Sequence, residues 1–425
     1  MNKIIKNIDE LAKNKIRSDA LEIIEAGYEA IKIEDIYKSQ ISLKNDVLRI
    51  QEQQFDLNKY NKIYVVGVGK GSDYAAKSIE TILTPDRIEA GFVIDTVSIK
   101  LHKIKTLKGT HPLPSEDNIK ATEHITELLT KANRDDLVIV LICGGGSALF
   151  CKPDSLTCQE LQFITNFLLH QGASIQEINT VRKHVSLIHG GYLAQYAYPA
   201  QVVSLVISDV VGDDLNFIAS GPTVLDKTTL EDAQEIINKY HLPTKIELVD
   251  TPKDPRYFKS VKNIILASGY TAVEGMKDKA IELGYKPKIF SRYLAGMANK
   301  IGPELAKAIK PGEALLACGE TQVVVKHPGK GGRNQDVVLS AIPHLPKNSA
   351  IVSAASDGKD NVEVAGAIAD SEITVKQLKE NNLNAIDAVE KNNGFDTLDK
   401  IHDHMQIDRV TANVSDFMLG LGAKE

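Results

Sequence analysis

Three glycine-rich segments carry the residue types best suited to handling an anion. The first, GVGKGS, runs from Gly67 to Ser72 directly after the apolar run KIYVV. Its glycines Gly67, Gly69 and Gly71 can expose backbone N–H donors, and Lys70 can reach phosphate oxygens. The second, CGGGSAL, spans Cys143 to Leu149. Gly144, Gly145 and Gly146 followed by Ser147 read either as an oxyanion nest, with Ser147 as N-cap and donor, or as a plain turn with a capping serine. A nucleophilic role for Ser147 is set aside because the strained G-x-S-x-G elbow is absent. The third, KHPGKGGRNQD, places Lys326, His327, Lys330 and Arg333 around Gly329, Gly331 and Gly332, just before a helix-like run that opens with Asn334. Arg333 offers a planar fork for a carboxylate or phosphate, although charged loops are often simply solvated.

Carboxylates cluster at two further strand ends. Asp209, Asp213 and Asp214 follow QVVSLV, and Asp357 and Asp360 follow AIVSAA. Magnesium takes one or two carboxylates together with phosphate oxygens and water, so Asp209 and Asp357 are candidate metal ligands; Asp-Gly turns are also common without any metal. Among the histidines, His184/His189 and His402/His404 lack the i, i+4 spacing of a helical metal pair. His111, in the loop GTHPLPSEDN, could face a cleft or merely pack.

The elements that must position these loops follow one grammar. KIYVVGV, GFVID, LVIVLIC, QVVSLVIS and NIILAS are short apolar runs separated by helix-length segments. Alternating strands and helices with almost purely apolar strands imply α/β architecture with a parallel sheet covered on both faces. Ligands in such sheets gather beyond the carboxyl ends of the strands, which is where every one of the glycine-rich loops falls. Arg17 to Ile31 has helical periodicity, interrupted only by Gly27. Between His241 and Phe258 the pattern lapses into a proline-bearing polar stretch, which predicts domains at 1–245 and 259–425. Beyond it, EALLAC and TQVVVK are separated only by Gly319 and Glu320, so they form a hairpin or one bulged strand in a mixed sheet.

Composition narrows the function classes. The chain has 425 residues, with 50 Lys plus Arg against 56 Asp plus Glu, a net charge of −6, and no long basic run. Nucleic acid is therefore a poor partner. The apolar stretch Leu137–Cys143 is far short of the ~20 residues that cross a bilayer. The N-terminus lacks a signal-peptide pattern, so a cytoplasmic location is expected. The four cysteines show no C-x-x-C pair and are expected to be buried thiols without disulfide or zinc. An assembly of identical subunits is compatible with the sequence.

Taken together, VVGVGKGSDYAAKSIE, GTHPLPSEDN, CGGGSAL, ISDVVGDDLNFIASGPTVLD, CGETQVVVKHPGKGGRNQD and SDGKDNVEVAGAIAD occur in the order found in class II glycerate kinases. The chain resembles that family from about Ile16 to Gly420. The resemblance implies a Rossmann-like N-terminal domain, a smaller mixed-sheet MOFRL domain, and a cleft between them. It implies ATP-dependent phosphorylation of D-glycerate, typically at the 2-hydroxyl, with Mg²⁺. Lys70 and Arg333 then become the catalytic candidates. Gly67, Gly69, Gly71, His111, Gly144, Gly145, Gly146, Ser147, Glu320, Gly331, Gly332 and Asn334 become the substrate or nucleotide contacts. Departures are local: Thr411 and Ala412 replace a Gly-Thr pair while Asn413 and Asp416 remain, Asn216 stands where an aspartate is usual, and Val362 stands where a small hydroxyl residue is frequent. A competing reading is an NAD(P)H-dependent hydroxypyruvate reductase, because GVGKG partly matches a dinucleotide fingerprint and Asp95 lies 24 residues after Gly71. Ser72 occupies the third glycine position, which counts against it.

Overall fold

The computed structural model describes residues 3–408 and 412–424; Thr411 lies outside the described residues. The chain divides into two compact units, residues 33–266 and residues 1–32 with 267–425.

The unit 33–266 opens with an antiparallel meander of β1 (Ile41–Lys44), β2 (Val47–Ile50) and β3 (Gln53–Asp56). Its main sheet contains β4 (Lys62–Val68), β5 (Ala90–Asp95), β6 (Ile104–Lys108), β7 (Asp136–Ile142), β8 (Gln201–Ile207) and β9 (Val261–Ala267), in the order β6-β5-β4-β7-β8-β9. The pairings from β6 to β8 are all parallel. Every residue of β7 is buried, as its unbroken apolar sequence requires for a strand covered on both faces. Val66, Val68, Val138, Val140 and Ile142 meet Ile125, Leu129, Leu193 and Ala197 of the covering helices in one core. Gly67 lies inside β4, where a Cβ would come within 2.8 Å of the Leu141 side chain, so sheet packing accounts for this glycine.

The other unit holds a mixed sheet, as expected. It is built from β10 (Lys286–Met297), β11 (Glu313–Gln322), β12 (Ser349–Ala354), β13 (Gly366–Asp370), β14 (His404–Met405) and β15 (Asp416–Gly422), in the order β10-β11-β15-β12-β13-β14. Only the β10–β11 pairing is parallel among the pairs seen. Of the two readings for EALLAC and TQVVVK, the single continuous strand is the one adopted, but the bulges fall on its neighbour β10, between Ile289 and Ser291 and between Ser291 and Leu294, and not on β11 itself. The chain runs through Gly319, whose φ of +154° lets it lie against Leu294, where a Cβ would be 2.0 Å from the carbonyl oxygen. The strand stops at Gln322, however, and Val324 and Val325 are 58% and 75% exposed, so the apolar run VVV is loop rather than strand.

A linear division at 245–259 assigns residues 1–32 to the first domain, whereas they pack with the second unit. The reason is local and physical. The helix Lys15–Ala30, capped by the Asn14 side chain accepting from Arg17 N–H, buries Leu21, Ile24 and Tyr28. It crosses the helix Gly269–Glu282 so closely that a Cβ at Gly27 would sit 2.8 Å from Met276, and one at Gly275 would sit 2.6 Å from Ala30. Arg17, 0% exposed, donates to Asp370 at 3.0 Å, to Asp403 at 2.7 Å and to the Leu11 carbonyl at 2.7 Å. All four cysteines are buried and none is in a disulfide. Among the described residues no helix is long and apolar enough to cross a membrane.

Candidate active site

Two of the glycine-rich loops meet at the carboxyl ends of the adjacent parallel strands β4 and β7. Lys70 N–H donates to the Gly144 carbonyl at 2.8 Å, and Cys143 N–H donates to the Val68 carbonyl at 2.9 Å. Gly69, at φ +115°, lies against this join; a Cβ there would be 2.2 Å from the Cys143 carbonyl oxygen, so only glycine fits. A Cβ at Gly145 would meet the His111 ring at 3.0 Å and Lys70 Cε at 3.7 Å, which places Lys70, His111 and the glycine turn at one spot. Asp209, just beyond β8, accepts from Gly145 N–H at 2.9 Å. Burial first, and then the charges of Asp95, Asp73 and Asp209, push the Cys143 thiol far above its ordinary pKa, so it is no nucleophile at neutral pH.

Ser147 departs from its expected capping role. The short helix Gly146–Leu149 is entered through Gly145 at φ +78°, and the Ser147 hydroxyl instead meets the Ser220 hydroxyl at 2.9 Å. Ser220 sits in a run of three left-handed residues, Ala219 at +48°, Ser220 at +57° and Gly221 at +65°. Such conformations cost roughly 1–3 kcal/mol each for non-glycine residues and concentrate at functional sites. The Ser220 hydroxyl donates to Asn179 Oδ1 at 2.7 Å, and Arg182 Nη1 donates to the same oxygen at 3.0 Å. Asn179 and Arg182 are three apart on the helix Ile175–Lys183, so they share a face. Sequence reading missed this wall; the only signal was the run RKH within NTVRKHVSLIHGG.

The third loop belongs to the other unit. Arg333 begins the helix Arg333–Ala341 and grips Asp416 with both prongs of its fork, Nε to Oδ2 at 2.6 Å and Nη2 to Oδ1 at 3.0 Å, while Nη1 pairs with Glu320. Burial opposes its charge, but the Asp416 and Glu320 carboxylates more than offset that and hold its pKa above the ordinary value. Burial lifts Asp416 to about 6, with Arg333 pulling the other way, so the pair is ionised at neutral pH. Asp360 caps this helix, accepting from Asn334 N–H and Gln335 N–H, each at 3.0 Å. A Cβ at Gly332 would lie 2.2 Å from the Asp360 carboxyl carbon, which explains that glycine. Asn334 Nδ2 donates to Asp416 at 3.0 Å. The loop before it is laced down by Asn392 Oδ1, which accepts from Lys326 N–H at 2.7 Å and His327 N–H at 3.1 Å; Gly331 passes close to Gly394.

The expected residues thus gather in two groups: Lys70, Gly69, Gly71, His111, Gly144–Ser147 and Asp209 in one unit, and Arg333, Glu320, Gly331, Gly332, Asn334 and Asp357 in the other. Asp357 Oδ1 accepts from Lys359 N–H at 3.1 Å in its turn. Among the described residues no group of three or more His, Cys, Asp or Glu could hold a metal ion by itself. Asp209 and Asp357 each fit magnesium only in the manner of one carboxylate beside bound phosphates. Asp95, the candidate ribose-binding acid of a dehydrogenase, is buried and accepts from Gly71 N–H at 2.7 Å and Asp73 N–H at 3.4 Å, so it caps the helix Ser72–Leu83.

This geometry defines a protein with a glycine-rich, lysine-bearing loop cluster at the head of a parallel sheet and a second, arginine-bearing loop on a mixed sheet. Residues 19–249 match the family described as a domain of unknown function, DUF4147, and residues 313–416 match the MOFRL family. A glycerate 2-kinase of Pyrococcus horikoshii is 34% identical over 419 residues, covering 90% of this chain and 93% of that protein. The crystal structure of a glycerate kinase from Thermotoga maritima superposes with a TM-score of 0.82 at 33% identity, covering 95% of this chain and 98% of that one. A protein of Agrobacterium vitis with the provisional name hydroxypyruvate reductase is 37% identical over 329 residues, covering 72% of this chain and 74% of its own length. The chain belongs to the MOFRL-type glycerate kinase family.

Proposed function

We propose that this protein transfers the γ-phosphoryl group of ATP to the 2-hydroxyl of D-glycerate, giving 2-phosphoglycerate and ADP. The observation that carries this reading is the convergence of Lys70, His111 and the Gly144–Gly146 turn at the carboxyl ends of β4 and β7. A cation beside a glycine turn that leaves room for a ligand suits an anion whose charge grows on three oxygens during transfer. In the reaction a bond forms between the glycerate oxygen and γ-phosphorus as the O–H bond breaks and releases its proton to solvent, the bond from γ-phosphorus to the bridging oxygen breaks, and its electron pair leaves on ADP. Lys70 steadies the transferring group, and Arg333, held by Asp416 and Glu320, supplies a second oriented cation. Asp209 orients the acceptor hydroxyl or, with Asp357 as the alternative, holds Mg²⁺, which when bound neutralises phosphate charge.

Phosphorus NMR of the product made from ATP, Mg²⁺ and D-glycerate tests this directly. A 2-phosphoglycerate resonance with stoichiometric ADP supports it; 3-phosphoglycerate overturns the regiochemistry, and the absence of glycerate-dependent ADP overturns the activity. Lys70→Ala should lower kcat by about 10²-fold, as loss of a transition-state cation does. The second reading, hydroxypyruvate reduction, has in its favour the Agrobacterium vitis relative's name. Against it stands Asp95, which is engaged by backbone N–H groups. Oxidation of NADH or NADPH by hydroxypyruvate without ATP would restore it.

A further inference from the structure

A pocket of about 300 Å³ opens within the unit of residues 1–32 and 267–425, between the start of the helix Ala298–Ala308, the end of β11 and the loop that leads to Arg333. That volume meets the lower bound of the ~300–1,000 Å³ usual for ligand pockets and is about ten times the ~30 Å³ share of one water.

Part of the lining is aliphatic: Met297, Val323, Val324 and Val389. Val324 is 58% exposed, and the loop that bears it is fixed in place by Asn392. The Asn392 Nδ2 donates to the Val324 carbonyl at 3.3 Å, while its Oδ1 takes the N–H groups of Lys326 and His327. An apolar surface built in advance and left open to water suits a flat ring laid against it.

The rest of the lining is polar. Asp336 is 4% exposed and borders the pocket, yet among the described residues its carboxyl makes no hydrogen bond and no ion pair. Burial first, and then the like charge of Asp360, raise it to about 7. Buried polar groups are nearly always bonded, so a carboxyl kept without a partner beside a space of this size calls for donors on a ligand. Lys300 and Lys326 line the same pocket, and neither is in an ion pair among the described residues. Glu390, the other carboxylate of the lining, is exposed. The 11-residue helix Ala298–Ala308 begins after Met297 with no side-chain cap, which leaves first-turn N–H groups for an anion. An aliphatic wall, a carboxyl in need of donors and a cationic rim match the base, the ribose hydroxyls and the phosphates of a nucleotide. A small hydroxy acid has no apolar face to set against the valines.

We infer that this pocket holds the nucleoside part of the phosphoryl donor, with the Asp336 carboxyl accepting from the ribose hydroxyls, the base against the valines, and Lys300 and Lys326 on the phosphates. Asp336 stands three residues after Arg333 in one helix, so a single rigid element carries both groups. The inference rests on the phosphotransfer reading for the identity of the donor, but the binding chemistry is measured without turnover.

Calorimetric binding of ATP, 2′,3′-dideoxy-ATP and inorganic tripolyphosphate to wild type, Asp336→Leu, Asp336→Asn and Lys326→Ala provides the test, with melting curves to show that each variant is folded. Wild type should prefer ATP to the dideoxy nucleotide by about 10-fold or more, as expected for hydrogen bonds to a carboxylate. Asp336→Leu should shrink that preference to within about two-fold and leave tripolyphosphate binding unchanged, and Asp336→Asn should keep part of it. Lys326→Ala should weaken ATP and tripolyphosphate alike, by about three-fold or more. No ribose preference in wild type, a preference that survives Asp336→Leu, or a loss that tripolyphosphate shares in that variant overturns the inference. The two readings separate cleanly. Phosphorylation of D-glycerate with a KM for ATP insensitive to Asp336→Leu removes the pocket and leaves the kinase. Asp336-dependent ribose preference without glycerate-dependent ADP removes the kinase and leaves the nucleotide pocket.

Discussion

The Arg333–Asp416 pair offers a quantitative test of how the second loop serves catalysis. Removing the charge in Asp416→Asn deletes one salt bridge made through two bonds of 2.6 and 3.0 Å, while the Glu320 contact survives. Opposite charges ~4 Å apart attract by about 4 kcal/mol at an effective dielectric of 20. Because the Arg333 side chain is 33% exposed and keeps a second carboxylate, roughly half of that is the realistic figure, about 2 kcal/mol. If the pair exists to aim Arg333, that energy reappears as a drop in kcat of about 30-fold, measured as glycerate-dependent ADP release, and Arg333→Ala should fall by about 10²-fold. The double variant should then be no more than about three-fold worse than Arg333→Ala alone, since Asp416 acts through the arginine. Protonation of Asp416, at about 6, should also give wild type an acid limb in kcat that Asp416→Asn lacks. Multiplicative losses in the double variant, or an unchanged acid limb, would refute the positioning role.

Three further outcomes are expected. Arg17→Met should cost about 3–5 kcal/mol in urea denaturation by leaving Asp370 and Asp403 buried without their partner, while kcat of the folded protein changes less than two-fold; a loss under 1 kcal/mol would contradict the accounting. Gly69→Ala should reduce activity at least tenfold or prevent folding, because it combines a forbidden φ of +115° with backbone contact at 2.2 Å; near-normal turnover would show that the β4–β7 join yields easily. Asp336, buried and beside Asp360, has a pKa raised to about 7. The folded state therefore keeps a proton that the unfolded chain has released above about pH 4, and stability falls as pH rises from 4 to 7. Asp336→Asn should flatten that slope and gain up to about 3 kcal/mol above pH 7, read from urea midpoints at several pH values.

Much of the architecture was legible because apolar runs such as LVIVLIC can be satisfied only inside a covered sheet, and glycines at their ends mark where backbone must approach backbone. The lysine turn and the arginine loop were legible for the same reason. VVV at 323–325 misled because hydrophobicity alone does not reveal that a loop laced down by Asn392 leaves two valines in water. The placement of residues 1–32 was hidden because an amphipathic face says that a helix packs, not against what; Arg17 looks like any surface arginine until Asp370 and Asp403 arrive from hundreds of residues away. Arg182 escaped notice because its contacts with Asn179 and Ser220 depend on a left-handed turn 38 residues further on, and no spacing rule encodes that meeting.

The allegiance of residues 1–32 also shapes how the protein can be made. Residues 33–266 form an uninterrupted stretch that, along the sequence, falls between the two segments of the other unit, so they can collapse while synthesis continues. The unit built from two segments has no such option: Arg17 must wait for Asp403, 386 positions downstream, before its charge is met. Until then the helix Lys15–Ala30 carries an apolar stripe and an unneutralised cation, which makes this stretch of the nascent chain dependent on shelter from aggregation.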